Sequence, residues 1–156
     1  MDNYPFISNR FTFEDLTRSP FPRFQQENID CALQNETIIN NLRVLAGHLE
    51  RAEKILGAPI QVLMAYRCPI LNNHVVGTKP GSVHELGLGA DILCPVVGSP
   101  LEVAKLLYIS PLPFDSLVNE LEWVHLSFIT EGNYRRLALT WSGGAFDQYR
   151  AGIYLY

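Results

Sequence analysis

Six apolar residues, Ile38, Leu42, Leu45, Leu49, Ala52 and Leu56, recur at steps of three and four. That spacing places them on one stripe of an amphipathic helix spanning about residues 36–56. So long a stripe needs a matching apolar surface, and the rest of the chain has to supply it. Asn35 is placed to cap the helix start, and Gly57 followed by Pro59 stops it. With 156 residues, 47% hydrophobic and 18% charged, the chain can bury a core of its own without disulfide or metal staples.

The helix divides the chain. Residues 1–34 are aromatic and punctuated by Pro5, Pro20 and Pro22, which predicts an irregular arm packed on the body. A short helix starts at Thr12, where Thr-Phe-Glu-Asp puts acids in a first turn. Residues 35–156 form a single domain. Within it, Ile60–Tyr66 reads as a buried strand. Residues 67–87 read as a long loop with one helical turn near Pro69–His74, and a loop of that length inside a compact domain is usually functional or mobile. Residues 88–93 read as a strand. Ser99-Pro100-Leu101-Glu102 carries a cap, a proline at the first position and a capping-box glutamate, starting a helix that runs to about Ile109. Further strands are expected at 114–118, 123–129 and 135–141. Few connections have a strand–helix–strand rhythm, so the expected class is α+β, with helices packed on a mostly antiparallel sheet.

Charge and composition exclude several functions. The net charge of −4 lacks the basic balance that neutralises phosphates, so nucleic acid is not the expected partner. No apolar run approaches the ~20 residues of a membrane span. The start, Met-Asp-Asn-Tyr-Pro-Phe, has no basic head followed by an apolar stretch, so cytoplasmic synthesis without a signal peptide is expected. Cys31, Cys68 and Cys94 are odd in number and form no CxxC pair, so they read as buried or reduced thiols. A monomer is the default.

Two segments concentrate chemistry. In Ser82-Val83-His84-Glu85-Leu86-Gly87-Leu88-Gly89-Ala90-Asp91, alternation turns Leu88, Ala90 and Ile92 to the core and Gly89, Asp91 and Leu93 to the other face. A lone carboxylate in so apolar a strand is costly unless it is paired or metal-bound. Gly87 permits a sharp loop-to-strand bend, and Gly89 leaves room beside Asp91. In Glu122-Trp123-Val124-His125-Leu126-Ser127-Phe128, Trp123, His125 and Ser127 share the open face. If the two strands are neighbours, Asp91 and His125 meet there, and His84 folds over from the loop. Two imidazoles and one carboxylate are a three-ligand zinc set with a fourth position left for water, as catalytic zinc requires. A core histidine beside a hydrogen-bonded aspartate satisfies the same spacing. His48, on the long helix, reads as a half-exposed helix residue, and His74 as a surface or turn residue.

Ser-x-His-x-x-Gly-x-x-x-Asp followed downstream by Glu-x-x-His resembles the zinc D-Ala-D-Ala carboxypeptidase and peptidoglycan endopeptidase family (peptidase family M15), its small phage and prophage members above all. Ala65-Tyr66-Arg67-Cys68-Pro69-Ile70-Leu71-Asn72 is similar to the family's Gly-Tyr-Arg-Ser-Pro-x-x-Asn segment, and Phe114-Asp115-Ser116-Leu117-Val118 to the strand before its second motif. The resemblance covers about residues 36–130. It implies the small α+β fold shared by these D,D-peptidases and the hedgehog signalling domain. It implies one zinc ion held by His84, Asp91 and His125. It implies Glu122 as general base and Arg67 holding a substrate carboxylate or the developing oxyanion, with Ser82, Tyr66 and Trp123 lining the cleft. The implied substrate is the peptide stem of bacterial peptidoglycan, cut at D-Ala-D-Ala or at L-Ala-D-Glu, after release or phage delivery to the cell wall. Departures are Gly89 in place of the usual alanine, Met64 and Ala65 in place of small residues, and Cys68 where serine is common. Alternation sets Glu122 opposite His125, so Glu122 has to lie in a turn or bulge, and Glu120 competes as the base. A binding or phage structural module that keeps the zinc without catalysis is the other reading.

Overall fold

A computed structural model describes residues 4–143 and 149–154. The first three residues of the expected arm, and 144–148 and 155–156 of the expected domain, lie outside the described residues. The helices are α1 (Phe13–Thr17), α2 (Gln25–Leu33), α3 (Glu36–Leu56), α4 (Pro69–His74) and α5 (Pro100–Ile109). The strands are β1 (Gln61–Met64), β2 (Gly89–Leu93), β3 (Ser116–Asn119), β4 (Val124–Ser127), β5 (Leu137–Trp141) and β6 (Tyr149–Ala151). They form one six-stranded mixed sheet in the order β1-β2-β4-β3-β5-β6. The class is therefore α+β, and the sheet is mostly antiparallel. β3 pairs antiparallel with β4, and β5 antiparallel with β6. β5 runs parallel to β3, because β4 has already returned the chain before β5 joins the other edge of β3.

The chain gathers into two compact units, Met1–Gly47 with Val62–Ala90, and His48–Gln61 with Asp91–Tyr156. In the first, Phe11, Phe13, Leu16, Ile29, Leu42 and Leu71 are buried. The segment expected to be irregular contains α2 as well as α1. Thr12 caps α1 in a reciprocal capping box with Asp15. Gln25–Leu33 buries Asn28, Ile29 and Ala32 on one side. Asn28 explains why that helix is held in place. Its Nδ2 donates to the carbonyls of Thr17 (2.8 Å) and Tyr66 (3.1 Å), and its Oδ1 accepts from the Cys68 amide at 2.7 Å. The Tyr66 amide also donates to the Leu16 carbonyl. Asn28 thus satisfies the backbone on both sides of Arg67. Asn28→Ala would strand these buried groups, at about 1–3 kcal/mol each. The expected loss is about 3 kcal/mol in total, or roughly 10 °C in Tm by thermal denaturation.

In the second unit, α5 packs on β3 and β4, and Leu107, Phe114, Leu117, Leu126 and Phe128 are buried. The Ser99–Glu102 capping box forms as the sequence requires. The Ser99 amide and hydroxyl donate to the Glu102 carboxylate and hold its pKa below the ordinary range. β1 departs from the expectation of a buried strand: Gln61 and Leu63 are exposed, and Val62 and Met64 half-buried. β1 stands at the end of the sheet order, and the core residues of that run are its flanks Ile60, Ala65 and Tyr66. β5 starts at Leu137 rather than 135, because the two preceding arginines are engaged elsewhere. Arg135 forms a bidentate pair with Asp115, and Arg136 donates to the carbonyls of Tyr108 and Leu112 around the end of α5.

Candidate metal centre

The expected faces of β2 are present. Ala90 and Ile92 are buried, and Asp91 and Leu93 are half-buried on the other side. β2 and β4 are hydrogen-bonded neighbours in the sheet, the condition under which Asp91 and His125 meet. His125 Nδ1 lies 2.8 Å from Asp91 Oδ1, and the side chains keep 15% and 14% of their exposure. An ionised carboxylate only accepts, so in this arrangement Nδ1–H of His125 donates to it. The costly lone carboxylate of the sequence has found its partner.

His84 ends the loop that precedes β2 and is 3% exposed. Its Nδ1 is 2.7 Å from the Ala65 carbonyl oxygen. A carbonyl cannot donate, so Nδ1 carries the proton, and in the neutral ring the lone pair is on Nε2. Histidines that bind metals are oriented this way, through a backbone acceptor on the far nitrogen. The His84 carbonyl in turn accepts from the Arg67 amide at 3.1 Å. Gly87 turns the chain into β2 with φ of 69°, a left-handed value that glycine adopts freely. A β-carbon there would also press against Leu42 and the Ile38 carbonyl of α3. One ligand atom each from His84, Asp91 and His125 lies within 4.8 Å of the others, so the three side chains could hold a single metal ion.

The donor set fits a borderline cation. Two imidazole nitrogens and one carboxylate oxygen match the ligands that zinc takes in three-ligand sites. All three side chains are at least partly withdrawn from water, unlike the solvated acidic clusters common on protein surfaces.

The other residues singled out in the sequence have surroundings of their own. Arg67 is buried at 6% exposure, with Nη1 3.2 Å from Met64 Sδ. Tyr66 is buried, and burial raises its phenol pKa, so the hydroxyl keeps its proton. Ser82 Oγ donates to Asn72 Oδ1 at 3.2 Å, and the Ser82 carbonyl accepts from the Glu85 and Leu86 amides. Trp123 is half-buried just before β4. Glu122 is exposed and sits in a tight turn, as alternation required. Glu120 N donates to the Trp123 carbonyl at 3.0 Å, which closes a two-residue hairpin loop of Leu121 and Glu122 between β3 and β4. Leu121 takes φ of 69° in that loop, at a cost of roughly 1–2 kcal/mol for a non-glycine residue.

One buried asparagine, Asn72, closes the Ala65–Asn72 segment, and the resemblance implied no role for it. Asn72 is fully buried in α4; its Nδ2 donates to the Lys79 carbonyl and to Glu85, and its own carbonyl accepts from Thr78. It is the organiser of the 75–87 loop. The available signal was a polar residue beside Leu71 in a short apolar turn. His48 stacks on Phe128 at 4.3 Å and contacts the Tyr134 hydroxyl, and burial lowers its pKa. His74 lies in an aromatic group with Phe21 and Phe24. Neither histidine joins the three ligands. No protein-family model matches the chain, and no curated protein matches it.

Proposed function

We propose that the protein is a zinc-dependent peptidase that hydrolyses the peptide stem of bacterial peptidoglycan, of the D-Ala-D-Ala carboxypeptidase and endopeptidase type. The observation that carries this reading is the convergence of His84, Asp91 and His125 within 4.8 Å, with His84 already fixed in a ligating tautomer. These three side chains would hold one zinc ion. Zinc bound there supplies Lewis acidity to a water and to the scissile carbonyl. Glu122 takes the proton of the attacking water on a carboxylate oxygen and delivers it to the leaving amine. Arg67, a permanent cation, binds a substrate carboxylate or the oxyanion, the interaction that usually contributes most. Ser82, Tyr66 and Trp123 complete the substrate contacts, and the place of action is the cell wall.

The test is hydrolysis of purified peptidoglycan and of a synthetic stem pentapeptide containing both the L-Ala–D-Glu and the D-Ala–D-Ala bond. Products are read by mass spectrometry. Chelation should reduce cleavage to background, and one equivalent of zinc should restore it. Full cleavage in the presence of chelator, or none by protein carrying one zinc per chain, would end the proposal.

A further inference from the structure

The turn that bears Glu122 is short, exposed and strained at Leu121, so something has to keep it in one shape. The residues that do so come from two places. Asn119, the last residue of β3, is buried. Its Oδ1 accepts from the Leu121 amide at 3.2 Å, and its Nδ2 donates to the Tyr154 carbonyl at 3.3 Å. Tyr154 is itself anchored, because its amide donates to the buried Thr140 hydroxyl at 3.0 Å. On the other side of the turn, the Tyr149 hydroxyl donates to Glu120 Oε1 at 3.1 Å. Tyr149 opens β6 and pairs with Trp141 of β5. The C-terminal segment therefore grips both residues that precede the loop, one through a side chain and one through its backbone.

We propose that Tyr149 and the Asn119–Tyr154 contact position the Glu122 carboxylate, and that Glu120 is a positioning residue rather than the base. The proposal rests on the peptidase reading for what Glu122 does. The chemistry separates the two glutamates. Glu120 is tied through Oε1 to the Tyr149 hydroxyl, a contact that holds its carboxylate toward β6. A neutral amide oxygen can still accept from the same hydroxyl, though more weakly than a carboxylate, so Glu120→Gln keeps the brace in place and removes proton-accepting ability.

The experiment compares Tyr149→Phe, Glu120→Gln, Glu120→Ala and the Tyr149→Phe/Glu120→Ala double variant as zinc-loaded proteins on the stem pentapeptide. Tyr149→Phe and Glu120→Ala should each lower kcat about tenfold with KM within about twofold, as expected when a reacting group is misplaced rather than removed. The double variant should be no worse than either single one, since both break one contact. Glu120→Gln should stay within about threefold of wild type; a loss of about 100-fold or more would instead make Glu120 the base and overturn the proposal. Zinc content should remain one per chain throughout. Hydrogen exchange at the Leu121 and Glu122 amides, measured without substrate, should accelerate in Tyr149→Phe and not in Glu120→Gln. If wild-type protein cleaves nothing, the peptidase reading fails on its own, and the exchange comparison still decides the brace. Unchanged exchange at both amides in Tyr149→Phe overturns it.

Discussion

Asp91→Ala is expected to lose zinc and hydrolysis together while the chain stays folded. The side chain is half-buried on β2 and accepts a hydrogen bond from His125, itself half-buried. Removing the carboxylate takes away the only anionic ligand of the three, leaving two imidazoles. Changing even the groups that support ligands costs 10–100-fold in affinity, so loss of a ligand itself should exceed about 100-fold. Asp91→Asn is the sharper version. Its amide oxygen still accepts from His125 Nδ1–H, so the strand contact survives, but it carries no charge for a cation. Stability gives a readout independent of catalysis. Zinc at about 1,000 times its dissociation constant adds about 4 kcal/mol to the folded state, roughly 10 °C in Tm for a chain of this size. Wild type should show that rise and both variants should not. A zinc-dependent rise that persists in Asp91→Asn would place the ion elsewhere.

The parts of the fold that could be read from the sequence are those where one local rule has no competitor. The α3 stripe, its Asn35 cap and its Gly57 stop sit at the expected residues: the Ile38 amide donates to Asn35 Oδ1 at 3.3 Å, and Gly57 has φ of 65°. The Ser99 capping box is as local a signal. Alternation placed Asp91 and His125 on one face, and the adjacency of β2 and β4 turned a conditional statement about them into a 2.8 Å contact. Gly89 and Ser127, expected on that open face, are instead buried, Ser127 through its hydrogen bonds to Ser116. What was not legible depends on partners distant in the chain. α2 has only a shallow apolar stripe, and its key residue, Asn28, is polar because it meets backbone groups around residues 17 and 66–68. β6 has three exposed residues and gains its place by pairing with β5. β1 looked buried because composition cannot tell a central strand from an edge. For the candidate site, residue types and spacing reached three side chains that could hold a metal ion, whereas the roles of Ala65 behind His84 and Asn72 behind the loop are matters of backbone geometry that residue types alone do not give.

Glu122→Gln is expected to separate activity from everything else the molecule does. Glutamine has the same size and can still hydrogen-bond a water, but it cannot take a proton from it. Loss of a general base lowers kcat by about 10²–10⁴, or roughly 3–5 kcal/mol of barrier. KM should hardly move, because Arg67 and the other proposed substrate contacts are untouched. Zinc should remain at one per chain, since Glu122 is not among the three ligands. Thermal stability should stay within about 0.5 kcal/mol, the usual range for an exposed position away from the core. This combination distinguishes a base from a ligand, which would take the metal with it, and from a brace, whose loss is partial. It also tests the binding-module reading. A retired site would bind zinc and show the same absence of cleavage in wild type and variant. An active wild type with a silent Glu122→Gln leaves catalysis as the function of the turn. A fully active Glu122→Gln would remove Glu122 from the mechanism and return the role to Glu120, the neighbouring carboxylate that Tyr149 holds.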